Sequence, residues 1–111
     1  MKIIRKDESV KTDRLQPCMR PALKEACNIY AQFGQTELVI TAGNEDWDAD
    51  GVWIHSPESL HPYGLAVDIR TRMFSKEDKL IVYKMLRDKL KPLGFDVVMH
   101  DTHIHIEKDS K

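Results

Sequence analysis

Three histidines and an aspartate stand at spacings that suit a single metal ion. His61-Pro62-Tyr63-Gly64-Leu65-Ala66-Val67-Asp68 is followed, near the end of the chain, by His103-Ile104-His105. Imidazole nitrogen and carboxylate oxygen are zinc ligands, and a catalytic zinc keeps three protein ligands and one water. Zinc so held lowers the pKa of its water to about 7 and polarises a carbonyl, which is the chemistry of amide hydrolysis. All five histidines, His55, His61, His100, His103 and His105, lie in the later part of the chain. Because imidazole dominates the set, zinc suits it better than magnesium or calcium.

The elements that must carry these residues can be read from periodicity. Pro17 to Phe33 repeats apolar residues (Met19, Leu23, Ala26, Cys27, Tyr30, Ala31) at helical steps, with Gly34 as a left-handed cap. Glu37 to Thr41 and Leu65 to Arg70 read as strands. Ser75 caps a second helix whose apolar residues are Leu80, Ile81, Met85, Leu86 and Leu90, ended by Lys91-Pro92-Leu93-Gly94. Phe95 to Met99 and His103 to Glu107 then form a hairpin around His100-Asp101-Thr102. The first fifteen residues are polar and read as partly extended. The expected fold class is α+β, a small antiparallel sheet packed on one side against two main helices.

Alternation along the last strand turns spacing into geometry. His103, His105 and Glu107 share one face, and Ile104 and Ile106 the other. The isoleucines suit a core, so the histidines face a cleft where His61 and Asp68 can join them. Gly64, between those two, permits the bend that brings a loop histidine and a strand aspartate together.

With 111 residues, the chain is expected to form one domain over residues 1–111. Hydrophobic residues make up 41% and charged residues 32%, with a net charge of −1, so no global field favours nucleic acid or an anionic membrane. The start lacks an apolar signal core and no run has membrane-spanning length. The expectation is a cytoplasmic chain as encoded, unless it leaves by another route or a leader was removed. Cys18 and Cys27, on one helix, would sit roughly 13 Å apart along its axis, too far for a disulfide. Reduced thiols are expected, with Cys27 buried.

Ser59-Leu60-His61-Pro62-Tyr63-Gly64-Leu65-Ala66-Val67-Asp68 with His103-Ile104-His105 resembles the signature of the M15-type zinc D-Ala-D-Ala peptidases. Within that group the chain is most similar to the amino-terminal signalling domain of hedgehog proteins. Lys6-Asp7-Glu8, Thr12-Asp13-Arg14-Leu15, Trp47-Asp48-Ala49-Asp50-Gly51, Glu58 to Ile69 and Gly94-Phe95-Asp96 extend the likeness over most of the chain. The resemblance implies zinc on His61, Asp68 and His105, with His103 beside it as proton donor or oxyanion stabiliser.

A peptidase also needs a base for the water's proton. The peptidases commonly place an acid three residues before the last histidine, which here is Thr102, and hedgehog-like domains place a glutamate further back in a longer turn. Asp101 is the nearest acid and the expected base, with the neutral ring of His100 as the alternative.

The acidic stretch Asp46-Trp47-Asp48-Ala49-Asp50-Gly51 has the opening of an EF-hand, but its twelfth position is Pro57. The hedgehog resemblance instead implies a calcium site drawing on Asp48, Asp50, Glu8 and Asp13.

Two functions follow as expectations. One, implied by the peptidase resemblance, is a zinc metallopeptidase acting on peptides or peptidoglycan stem peptides, reaching the cell wall after export or lysis. The other is a hedgehog-like zinc-binding module without catalysis, with calcium as a second candidate ion, whose surface recognises a protein or glycan partner.

Overall fold

The computed structural model describes residues 1–45 and 60–109. Asp48 and Asp50 lie outside them. In chain order the elements are β1 (Lys2–Arg5), α1 (Arg20–Gln32), β2 (Glu37–Ala42), β3 (Ala66–Arg70), α2 (Lys76–Leu90), β4 (Phe95–Met99) and β5 (His103–Lys108). The strands form one sheet in the order β1-β2-β3-β5-β4. Neighbours run antiparallel except β1 and β2, which are parallel. The architecture is the α+β one expected from the sequence, with β1 added at the edge. A parallel pair needs a crossover, and α1 lies within the connection from β1 to β2.

Local chemistry explains the helices. Pro17 opens a 3-10 turn, Pro17–Met19, and Pro21 sits in the first turn of α1, where a missing N–H is harmless. Ser75 caps α2 by accepting from the Asp78 backbone N–H at 3.1 Å, with Glu77 and Asp78 on the positive end of the helix dipole.

The buried faces are rotated from the expected ones. On α1, Ala22 and Ile29 join Ala26 and Tyr30 inside, whereas Ala31 is exposed and Leu23 and Cys27 are half-buried. On α2, Val82 joins Leu86 and Leu90 in the core, while Leu80 and Ile81 face outward. In both helices the apolar residues cover too wide an arc for periodicity to say which edge meets the sheet. Cys18 is exposed, and both thiols are free.

The core fills the space between the helices and one sheet face: Leu38 and Ile40 from β2, Val67 and Ile69 from β3, Ile104 and Ile106 from β5, and Phe95 and Val97 from β4. Burying each large aliphatic side chain is worth about 1.5–3 kcal/mol, so alternation alone fixes which face of β3 and β5 turns inward. The residues between them, Asp68 and Arg70 on β3 and His103, His105 and Glu107 on β5, occupy the opposite face. Tyr30 donates its hydroxyl to the Arg70 carbonyl at 2.8 Å and packs edge-on against Phe74, tying α1 to the end of β3.

Candidate metal centre

Asp68 and His105 are direct cross-strand partners in the β3–β5 ladder. Their side chains therefore start side by side on the polar face, and His105 Nδ1 lies 2.7 Å from Asp68 Oδ1. His61 reaches the same carboxylate from the 3-10 turn His61–Tyr63, with Nε2 3.4 Å from Asp68 Oδ1. Two ligands on a tetrahedral ion with bonds of about 2.1 Å stand roughly 3.4 Å apart, which is the His61–Asp68 spacing, whereas His105 and Asp68 stand at hydrogen-bond distance. The ligand atoms of His61, Asp68 and His105 all lie within 4.8 Å of one another, and together they could hold a metal ion.

The turn that delivers His61 depends on Gly64. Its φ is 72°, and a Cβ there would lie 2.0 Å from the Arg14 carbonyl oxygen, so only glycine fits. Its own carbonyl accepts from the Gln16 backbone at 3.0 Å, which pins the turn to the N-terminal segment.

The outer nitrogens of both histidines are tied. His61 Nδ1 lies 2.8 Å from the Gly43 carbonyl, which only accepts, so Nδ1 carries a proton and Nε2 is the nitrogen turned to Asp68. His105 lies between two carboxylates, Nε2 2.9 Å from Glu107 Oε1 and Nδ1 2.7 Å from Asp68 Oδ1, so without a metal both nitrogens donate, and Glu107 keeps Nδ1 turned to Asp68. Such carboxylate and carbonyl partners orient metal-binding histidines and raise their basicity. The Gly43 carbonyl is placed by an irregularity in β2 opposite Asp68, where two residues, Thr41 and Ala42, occupy the step from Ile40↔Ile69 to Ala42↔Asp68. The buried Glu45 carboxylate then accepts from the Gly43 N–H at 2.9 Å and from the Lys11 N–H at 3.0 Å.

The electrostatics agree with this geometry. Burial alone would raise the Asp68 carboxyl, but hydrogen bonds and charge from His105 and His61 outweigh it and hold the group well below the carboxylate range. Burial would lower His105, yet the Asp68 and Glu107 carboxylates on either side raise it. His103, with Nε2 3.5 Å from Asp68 Oδ2, is pushed down by burial and by the neighbouring imidazoles against the pull of Asp68.

The remaining expected residues are placed as follows. His103 borders the three-residue group and stacks on His100 with ring centroids 4.7 Å apart. Asp101 is exposed in the β4–β5 turn, and its carbonyl accepts from Lys79 Nζ at 2.7 Å. Of the acids expected to hold calcium, Glu8 is exposed, and Asp13 accepts from the Asn44 side chain at 3.3 Å. Glu107, Gly43 and Glu45 were not anticipated as site residues. Glu107 was legible, because it shares the His105 face; a backbone carbonyl beyond a bulge leaves no mark in residue types.

The hedgehog amino-terminal signalling domain family matches residues 2–108, nearly the whole chain. This chain belongs to that family. It is similar to the hedgehog proteins of vertebrates: 37% identical over 106 residues to the Indian hedgehog protein of Gallus gallus, covering 94% of this chain and 24% of that protein. It is 38% identical over 107 residues to the Indian hedgehog protein of Xenopus laevis, with 94% and 24% covered. The Sonic hedgehog protein of Xenopus laevis is 37% identical over 102 residues, with 90% and 21% covered. The chain thus spans about a quarter of the length of these hedgehog relatives. No helix among the described residues is long and apolar enough to cross a membrane.

Proposed function

We propose that this chain is a zinc-binding domain of the hedgehog type, in which His61, Asp68 and His105 hold the ion and the His103 side is left open to a peptide group. One observation carries the reading. Each histidine has its outer nitrogen fixed, His61 by the Gly43 carbonyl and His105 by Glu107, so both turn their inner nitrogens to the Asp68 carboxylate, where an ion can replace a proton. Histidines that served only to solvate the surface would not need their outer nitrogens held so that both rings face one carboxylate. When bound, zinc supplies Lewis acidity and an acidified water.

The test is metal content and its effect on folding. Purified protein equilibrated with zinc and desalted is expected to retain one equivalent, and chelation is expected to lower its melting temperature. His61→Ala and His105→Ala should lose the ion. Retention of no zinc by the wild type overturns the reading.

Peptide hydrolysis is the second reading, and His103 favours it. Its lowered pKa keeps the ring neutral near pH 7, and its Nδ1 lies 3.0 Å from Thr102 Oγ1, so the ring is held at the open side in an uncharged form. In this reading the neutral His103 ring donates to a carbonyl oxygen as charge develops there, and Asp101 accepts a proton. The substrate class is a peptidoglycan stem peptide ending in D-alanine. Zinc-loaded wild type should release D-alanine from muropeptide, and Asp101→Asn and His105→Ala should abolish the release. Equal background release from all three leaves a binding module. Calcium on Glu8, Asp13, Asp48 and Asp50 rests on the sequence match alone and is tested by a rise in melting temperature on calcium addition.

A further inference from the structure

Among the described residues, β4 is the edge strand beyond β5, and its outer side has no partner strand. The β4–β5 register shows which backbone groups face outward. The His100 N–H donates to the His103 carbonyl at 2.9 Å, and the Asp109 N–H donates to the Gly94 carbonyl at 2.7 Å. In an antiparallel pair such bonds recur at alternate residues, so Asp96 and Val98 bond to β5 while Val97 and Met99 turn N–H and C=O to the open edge. Edge strands are commonly guarded by lysine, proline or a bulge. β4 has none of these: its register runs without a shift from Phe95 to Met99, and Val98 and Met99 are exposed.

A groove follows this edge, with α2 as its other wall. At one end a cavity of about 250 Å³ lies between Lys76, Lys79 and Leu80 of α2 and Met99 of β4. At the other end a cavity of about 280 Å³ lies between Arg87 and Lys91 and the stretch from Phe95 to Val98. The helix side of the groove therefore carries two cations at each end, with Leu80, Met99 and Val97 as apolar surface along it. Lys79 Nζ donates to the His100 and Asp101 carbonyls, which fastens α2 to the end of β4 and leaves a third proton to donate. The acids that border the groove along the strand, Asp96 and its ladder partner Glu107, lie on the opposite sheet face from α2.

We propose that the β4 edge takes up an extended peptide segment of a partner protein as an added strand, with acidic side chains turned to α2 and basic ones turned to Asp96. Main-chain bonds to Val97 and Met99 supply affinity, and the charges on either side of the edge select the side chains. Spacing sets the pattern. Lys79 and Arg87 are eight residues apart on one helix, about 12 Å along its axis, and four residues of strand cover about 13 Å. Acids at positions i and i+4 of the segment therefore reach the two pairs of cations, with an apolar residue at i+2 over the strip between them. A second copy of this chain fits less well. Pairing two β4 strands about a two-fold axis sets Lys76, Lys79, Arg87 and Lys91 against the same cations of the other copy, and like charges repel. The site involves no metal and does not depend on the zinc reading.

The probe is a fluorescein-labelled peptide, Thr-Glu-Lys-Val-Lys-Glu-Thr with blocked ends, titrated into the protein by fluorescence anisotropy. Its control, Thr-Lys-Glu-Val-Glu-Lys-Thr, has the same composition and net charge but turns the charges to the wrong faces. Exposed ion pairs are individually weak, so the correct alternation is expected to bind about tenfold tighter than the control. That preference should disappear in Arg87→Gln/Lys91→Gln, both exposed positions on the far side of the sheet from the metal-ligand group. At saturation, amide hydrogen exchange read by NMR should slow at Val97 and Met99, which a merely electrostatic contact with the helix does not produce. Equal binding of the two peptides, or none, overturns the proposal. So does unchanged exchange at Val97 and Met99 with the peptide bound. Protein that dimerises alone with those two amides protected overturns it in favour of a second copy.

Discussion

His105 and Glu107 stand two residues apart on one face of β5, with Nε2 of the histidine 2.9 Å from Oε1 of the glutamate. That contact decides which nitrogen His105 offers to Asp68. Glu107→Ala frees the ring to rotate and exchange tautomers. Zinc affinity, measured by competition with a coloured chelator, is expected to fall about 10–100-fold, the usual effect of removing such a partner. Glu107→Gln, which keeps an acceptor oxygen, should fall less. Unchanged affinity in Glu107→Ala would show that Glu107 does not orient the ring.

The same pair sets a pH dependence. In chelated protein His105 has a pKa above its ordinary 6.5, so its protonated form favours folding. This contribution is complete below pH 6.5 and fades as pH rises through the folded value. Asp68 behaves oppositely, since its pKa is depressed: its contribution is present above the ordinary 3.8 and lost as pH falls through the folded value. The stability difference between chelated wild type and His105→Gln should therefore be largest between these limits and shrink towards pH 8. Zinc reverses the trend, because it must displace the His105 proton, so stabilisation by zinc should grow over the same range. Urea titrations at several pH values, with and without zinc, read both slopes.

Much of this was visible in residue order. The β5 alternation was legible because Ile104 and Ile106 have no use on a polar face, and the Ser75 cap because serine followed by Glu77 and Asp78 suits a helix start. Spacing and strand alternation brought His61, Asp68, His103 and His105 to one face, and the choice of His61, Asp68 and His105 as the ligands came from the family resemblance. β1 escaped notice because Ile3 and Ile4 are too few to mark a strand, and its partner β2 lies beyond a helix. The inward edges of α1 and α2 depend on the sheet's position, which periodicity does not carry.

Gly64 is expected to tolerate no side chain. Gly64→Ala combines a left-handed φ of 72° with a Cβ 2.0 Å from the Arg14 carbonyl. Thermal unfolding should show a loss of more than about 2 kcal/mol, with weakened zinc binding as His61 shifts. Gly34→Ala is the control, for its φ of 79° is similar but nothing lies within 4 Å. About 1–2 kcal/mol is expected there, with zinc affinity unchanged. Equal effects on zinc would separate the His61 turn from metal binding.

Neighbouring residues on β5 should separate folding from function. Ile104→Ala empties a fully buried site and should cost about 2–5 kcal/mol in denaturant unfolding. His103→Ala, one residue earlier on the open face, should change stability by less than about 1 kcal/mol while weakening any peptide ligand. The reverse order would place the core on the other side of the sheet.

The most direct measurement is a crystal structure with anomalous data collected on both sides of the zinc absorption edge. The expected result is one zinc peak about 2.0–2.2 Å from His61 Nε2, an Asp68 carboxylate oxygen and His105 Nδ1, with a fourth position on the His103 side. Crystals grown with zinc that show no anomalous peak among these three side chains would contradict the account.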